Sequence, residues 1–261
     1  MRNFFLVLIC LFFSACSLKN EKEIILKANE ENKEIKEEKK VEIPKKVKVV
    51  ICEELASFDE KVNCLRKKAL NNDFTSIKKL SNIYLQKNDY KNALVYLEKL
   101  EKNNDFDSLK HLGLIYHNGL GVNKDYSKAF LYFSKFSLNK EDPLVLRELA
   151  YYYKRGIAVE QNYEKAFELY KKSALLNDRF SMSELGYFYA KGYAVEKDYK
   201  EAFLWFEKSA NLGSTYSMSW LGYLYENGLG IEKDIKKSIF WYEKSNTKYS
   251  KHKLKDLNNK G

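Results

Sequence analysis

The stretch LGYFYAKGYAVEKDYKEAFLWFEKSA, residues 185–210, decides the fold. Leu185, Phe188 and Tyr189 recur at helical spacing before a glycine loop, and Ala202, Phe203 and Phe206 do so after it. The loop opens on Gly192, because a chain leaving a helix needs a residue at ease in the left-handed region. Asp198 stands just before the second run, where its carboxylate can accept a bond from an orphan amide, and Glu201 three residues on completes a capping-box spacing. The stretch therefore predicts two antiparallel helices joined by a short loop.

That hairpin repeats. Gly113, Ala150, Gly186 and Gly222 follow one another at 37, 36 and 36 residues, and Gly119, Gly156, Gly192 and Gly228 keep the same steps, as do Ala129, Ala166, Ala202 and Ser238. Asp125, Asn162, Asp198 and Asp234 precede the second helices, while Asp105, Asp142, Asp178 and Ser214 precede the first ones. Pro143 follows Asp142 at the position where a missing amide costs nothing. The rings of Tyr187, Phe188, Tyr189, Phe203, Trp205 and Phe206 recur by type between units, as a solenoid core requires, and the small residues at 113, 150, 186 and 222 let paired helices approach closely. The prediction is an all-α fold, an α-solenoid of stacked antiparallel helix hairpins. Upstream, residues 58–84 superpose on 90–116 at an offset of 32, so residues 47–104 predict one or two shorter hairpins that lack the extra loop residues.

The pattern of a small-residue helix, then Y…G.GV..D..KA..WY.KSA, resembles the Sel-one-like repeat, a relative of the tetratricopeptide repeat with a longer loop, in four copies over residues 105–248. The resemblance implies a curved array that binds proteins or peptides. A cysteine-rich branch of that family is associated with penicillin binding and weak β-lactamase activity, but it carries cysteine pairs where this chain has Ser173 with Ser181 and Ser209 with Ser217. The matching expectation is a non-catalytic interaction scaffold. Its alternatives are a β-lactam-binding hydrolase and a protein that inhibits or masks a periplasmic enzyme.

At the amino end, Arg2 precedes an apolar run from Phe4 to Phe13, too short to span a membrane as a mature helix. The following FSAC resembles a bacterial lipobox, which implies removal of residues 1–15, lipidation of Cys16 and anchoring in the cell envelope. Ser17 stands where enteric lipoproteins kept at the inner membrane carry Asp, so the resemblance favours the outer membrane with the array in the periplasm. Residues 16–46 are densely charged and lack aromatics, which predicts a tether; residues 249–261 predict a basic tail.

The net charge of +10 raises the question of nucleic acid, but residues 105–242 hold 19 basic against 18 acidic residues, and no nucleic-acid partner is expected. His111 and His117 are six apart, unsuited to a two-histidine metal face, and His252 lies in the tail, so no metal or other cofactor is expected. S-x-x-K occurs at Ser76, Ser137, Ser245 and Ser250 without the S-D-N and K-T-G partners of β-lactamases, leaving no catalytic residue to name.

Candidate partner contacts are the variable residues just before each loop glycine: His117 and Asn118, Lys154 and Arg155, Lys191, and Glu226 and Asn227. The array is expected to be monomeric. The 32-residue offset maps Cys52 onto Tyr84 and Cys64 onto Tyr96, facing positions on the two helices of one hairpin, which predicts a disulfide in an oxidising compartment. Two buried free thiols acting as small apolar side chains, or cysteines paired with other partners, are the other readings.

Overall fold

The computed structural model describes residues 52–259; the expected signal segment 1–15, Cys16 and the tether 16–46 lie outside them. After a single 3-10 turn at Cys52–Glu54 the described residues form twelve α-helices: α1 Phe58–Leu70, α2 Phe74–Gln86, α3 Tyr90–Lys102, α4 Phe106–Asn118, α5 Tyr126–Ser137 and α6 Pro143–Arg155, followed by α7 Tyr163–Leu175, α8 Arg179–Lys191, α9 Tyr199–Asn211, α10 Thr215–Asn227, α11 Ile235–Ser245 and α12 Lys248–Asn258. The pairs α2–α3, α4–α5, α6–α7, α8–α9 and α10–α11 are the hairpins, each packed on the next. Among the described residues there is no strand.

Local chemistry places the helix ends. Every second helix from α5 to α11 starts on the expected cap, with Asp125, Asn162, Asp198 or Asp234 accepting a bond from an amide two or three residues on. First helices start on Asp105, Asp142, Asp178 and Ser214 in the same way. Asp198 accepts from the amides of Lys200 and Glu201, whereas among the described residues both halves of a capping box form only at Ser57 and Glu60 of α1. Gly119, Gly156, Gly192 and Gly228 end α4, α6, α8 and α10 in the left-handed conformation, at φ 70, 63, 75 and 66°.

The core runs between the two helices of each hairpin. Phe133, Tyr170, Phe206 and Tyr242, at one register on the second helices, are fully buried, each ring contributing about 1.5–3 kcal/mol by leaving water. Their counterparts across the hairpin are the small residues: a Cβ built on Gly113 would come within 2.4 Å of Phe133, and one on Gly222 within 2.6 Å of Tyr242. Of the six rings expected in the core of the 185–210 hairpin, Phe188, Phe203 and Phe206 are buried, while Tyr187, Tyr189 and Trp205 are half-buried at its edges.

Two departures from the sequence expectation concern the ends. Cys52 does not sit on a full first helix but in the 3-10 turn, bonded to Cys64 on α1 with Cα atoms 5.5 Å apart. The pair takes the place held one unit later by the stacked rings of Tyr84 and Tyr96, centroids 5.6 Å apart. The predicted basic tail is largely a helix. Thr247 caps α12, whose Ser250 is fully buried and whose Lys253 bonds Glu226 of α10 at 3.1 Å. Its lysines mask the repeat pattern in composition, yet α12 stacks on α10 as another first helix.

Candidate interaction surface

Consecutive first helices are joined by two series of side-chain bonds at fixed positions. In one, the fifth residue of a first helix bonds the cap of the next. Lys78 reaches Asp105 at 2.8 Å, Lys110 reaches Asp142 at 2.5 Å and Arg147 reaches Asp178 at 2.9 Å. From α8 onward the ion pairs become hydroxyl pairs, Ser183 with Ser214 and Ser219 with Thr247, both at 3.0 Å. In the other series the twelfth residue meets the sixth of the next first helix: His117 Nε2 lies 3.8 Å from Glu148, Lys154 2.5 Å from Glu184, and Glu226 3.1 Å from Lys253. Two steps lack such a pair, and at the α2–α4 step the positions hold Leu85 and His111. Between α8 and α10 the twelfth residue is the buried Ala190 and the sixth is Trp220, with no carboxylate at either place.

Those bonds account for most of the predicted contact residues. His117 also hydrogen-bonds the Tyr152 hydroxyl through Nδ1 at 3.0 Å, and Glu226 accepts from the Tyr242 hydroxyl at 2.7 Å. Asn118 and Asn227 donate to carbonyls of their own helices, at Leu114 and Tyr223. Arg155 is exposed at the end of α6. Lys191 differs from all of these: it lines a groove, with Nζ 5.7 Å from the Tyr187 ring centroid and 5.9 Å from that of Trp220.

This groove, about 510 Å³, is walled by Tyr216, Trp220 and Tyr223 of α10, by Tyr249 of α12 and by Lys191, with Thr215, Ser219 and Thr247 between them. A second, about 550 Å³, runs from α6 to α10 past Arg147, Glu148, Tyr151, Phe180 and Glu184, and shares Thr215 and Tyr216 with the first. First helices thus supply most of one aromatic surface over four successive units, with Tyr170 of α7 also lining it. Trp220 stacks flat on the core ring of Phe206, with centroids 5.2 Å apart and 7° between planes, and meets Tyr187 and Tyr223 edge-on. That stacking fixes its orientation while leaving it part-exposed, so an apolar ligand meets a preformed wall. A smaller groove of about 280 Å³ between α2 and α6 is polar, lined by Lys78, Asp105, His111 and Asp142, and burial pushes the His111 imidazole below its ordinary pKa.

The serines weighed as nucleophiles lie elsewhere. Ser76, Ser245 and Ser250 are buried, and Ser137 donates to the Ser134 carbonyl. At the positions of the cysteine-rich branch, Ser181 donates to Ser173 at 2.8 Å, and Ser209 and Ser217 each bond Ser183 at 2.7 Å. Among the described residues no cluster of side chains suits a metal ion and no helix is long and apolar enough to cross a membrane.

The Sel1 repeat family matches residues 107–139, 143–178, 180–214 and 215–248. No curated protein matches the chain. Among solved structures, it is similar to c5321, a protective antigen of uropathogenic Escherichia coli strains displaying an SLR fold, at 28% identity and a TM-score of 0.66 over 75% of this chain. The chain spans 43% of that protein's length. A Sel1 repeat protein from Oxalobacter formigenes is 25% identical, with a TM-score of 0.63, over 76% of this chain and 83% of its own.

Proposed function

We propose, from the premise that the chain belongs to the Sel1 repeat family, that it is an envelope lipoprotein that holds a protein or peptide partner on the face of its first helices and performs no catalysis. Sel1 repeats are generally protein-interaction modules, and the observation that carries the reading here is the pair of grooves meeting at Thr215 and Tyr216. Partly exposed aromatic side chains on a rigid scaffold suit recognition, because large contact area comes at little entropic cost. The address rests on the sequence of residues 1–16: export, lipidation of Cys16 and attachment to the outer membrane with the array facing the periplasm. That one similar protein is a protective antigen accords with an address outside the cytoplasm.

A photoreactive phenylalanine analogue placed at Tyr216 or Tyr151 in intact cells should crosslink to a discrete partner, and one at Leu204, exposed on the second helix α9, should not. Crosslinks from Leu204 alone would move the binding face. Cys16→Ser tests the anchor separately. The processed variant should leave the membrane fraction, and its retention after a salt wash would contradict lipid attachment.

A further inference from the structure

We propose that Lys191 and the aromatic groove beside it recognise an acidic side chain of the bound partner, flanked by an apolar one; this deepens the reading of the first-helix face above and rests on it. The repeat itself supplies the argument. At the adjacent steps along the array, a carboxylate and a cation meet between consecutive first helices: Lys154 with Glu184 before this site, and Glu226 with Lys253 after it. At the α8–α10 step the twelfth position holds Ala190 and the sixth Trp220, and Lys191, the next residue along α8, forms no salt bridge with any described residue. Its ammonium instead faces the rings of Tyr187 and Trp220 at the rim of a groove in which it is the sole charged residue.

An occupant that brings its own carboxylate gives Lys191 a counter-charge beside the sixth-position ring of Trp220, as Glu184 gives Lys154 one at the sixth position one unit earlier. Its neighbouring side chain, aliphatic or aromatic, then fills the space between Tyr216, Trp220 and Tyr249. A basic partner is disfavoured by Lys191, and a wholly apolar one leaves the ammonium with no counter-charge in a site the ligand has partly dried. Trp220 serves both parts of the ligand, since its face carries the apolar contact and the side chain that Lys191 reaches there is a ring and not a carboxylate.

The probe is a random dodecapeptide library displayed with its carboxyl end fused to the carrier, so that side chains supply the only carboxylates. Panned on the array, it should yield sequences pairing Asp or Glu with a neighbouring apolar residue. A synthetic, amidated copy of the best sequence should bind about tenfold more weakly to Lys191→Gln, and equally weakly when its own acid is changed to the amide, the two losses not adding. Trp220→Glu, which places a carboxylate beside Lys191, should abolish the acidic preference. Melting curves of both variants verify their folding. Peptides that bind the groove with no acidic preference, or that bind Lys191→Gln as tightly, overturn the proposal while leaving the interaction face intact. Lys191-dependent binding confined to a second library with free carboxyl ends also overturns it, assigning the lysine to a chain terminus. Failure of both libraries to yield any binder sensitive to Tyr216→Ala overturns the proposal and the face together.

Discussion

Gly186 of α8 lies so close to the ring of Phe206 on α9 that a Cβ added to it would stand 2.7 Å from Cδ1. Buried rings at this register are what the hairpins from α4–α5 onward close on, so the small residue and the ring form one packing unit. Gly186→Ala should cost about 1–3 kcal/mol, read as a lowered urea midpoint with an unchanged slope. Combined with Phe206→Leu, the alanine should cost less than it does alone. Full additivity would mean that the two positions do not share their space.

The left-handed position two residues beyond each helix-ending glycine offers a paired test. It is held by Gly121 and Gly230 in two units and by Ala158 and Ala194 in the others, all at φ between 58 and 69°. Ala194→Gly should stabilise by about 0.5–1 kcal/mol, because alanine is strained there. Gly230→Ala should destabilise, since its Cβ would come within 2.3 Å of the Tyr199 carbonyl carbon. Thermal unfolding of the two variants should move in opposite directions, and a shared direction would contradict the backbone argument.

Asp142 carries the pH dependence that is simplest to isolate. Burial alone would raise its carboxyl, but hydrogen bonds from Lys110 and from the amides of Val145 and Leu144 outweigh it and hold the group below the usual carboxylate range. A depressed folded-state pKa contributes stability that is present above the unfolded value of about 3.9 and is lost as pH falls through the lower folded value. Asn caps a helix nearly as well, so Asp142→Asn reports the charge. The variant should be less stable by about 1 kcal/mol at pH 7, with the gap closing below about pH 4. A gap constant with pH would contradict the assignment.

Reduction of Cys52–Cys64 should act locally, because each repeat touches only its neighbours. Amide exchange should quicken in the 3-10 turn and α1 and stay unchanged in α9–α11. Faster exchange through α11 would show that the array unfolds as one unit.

The fold was legible because its rules are local: three residue tracks of one period and a capping side chain before each helix. The last helix was harder to read, since the lysines of α12 hide an apolar pattern that only its stacking on α10 reveals. At the eighth position, where α4, α6, α8 and α10 have Gly or Ala, it carries Lys255, a side chain that leaves no room for so close a second helix. Contacts between units were not legible, because Lys78 with Asp105 or Lys154 with Glu184 are partners some thirty residues apart whose meeting depends on the stacking geometry. Trp220 did leave a trace. The sixth position of the first helices reads His111, Glu148, Glu184, Trp220 and Lys253, and a lone tryptophan in a polar column marks a surface ring rather than a core one. Composition alone could not separate the two, because rings fill the core as well.

The chain's three tryptophans allow a direct test of which face binds. Trp220 sits on the first-helix surface, while Trp205 and Trp241 lie on the second helices α9 and α11. With Trp205 and Trp241 changed to Phe, titrating the partner identified by crosslinking should shift the emission of Trp220 saturably. The complementary protein, Trp220→Phe, should show no emission change from Trp205 and Trp241 while its binding weakens. A silent Trp220 together with a saturable response from the other two would place the partner on the second helices and contradict the account.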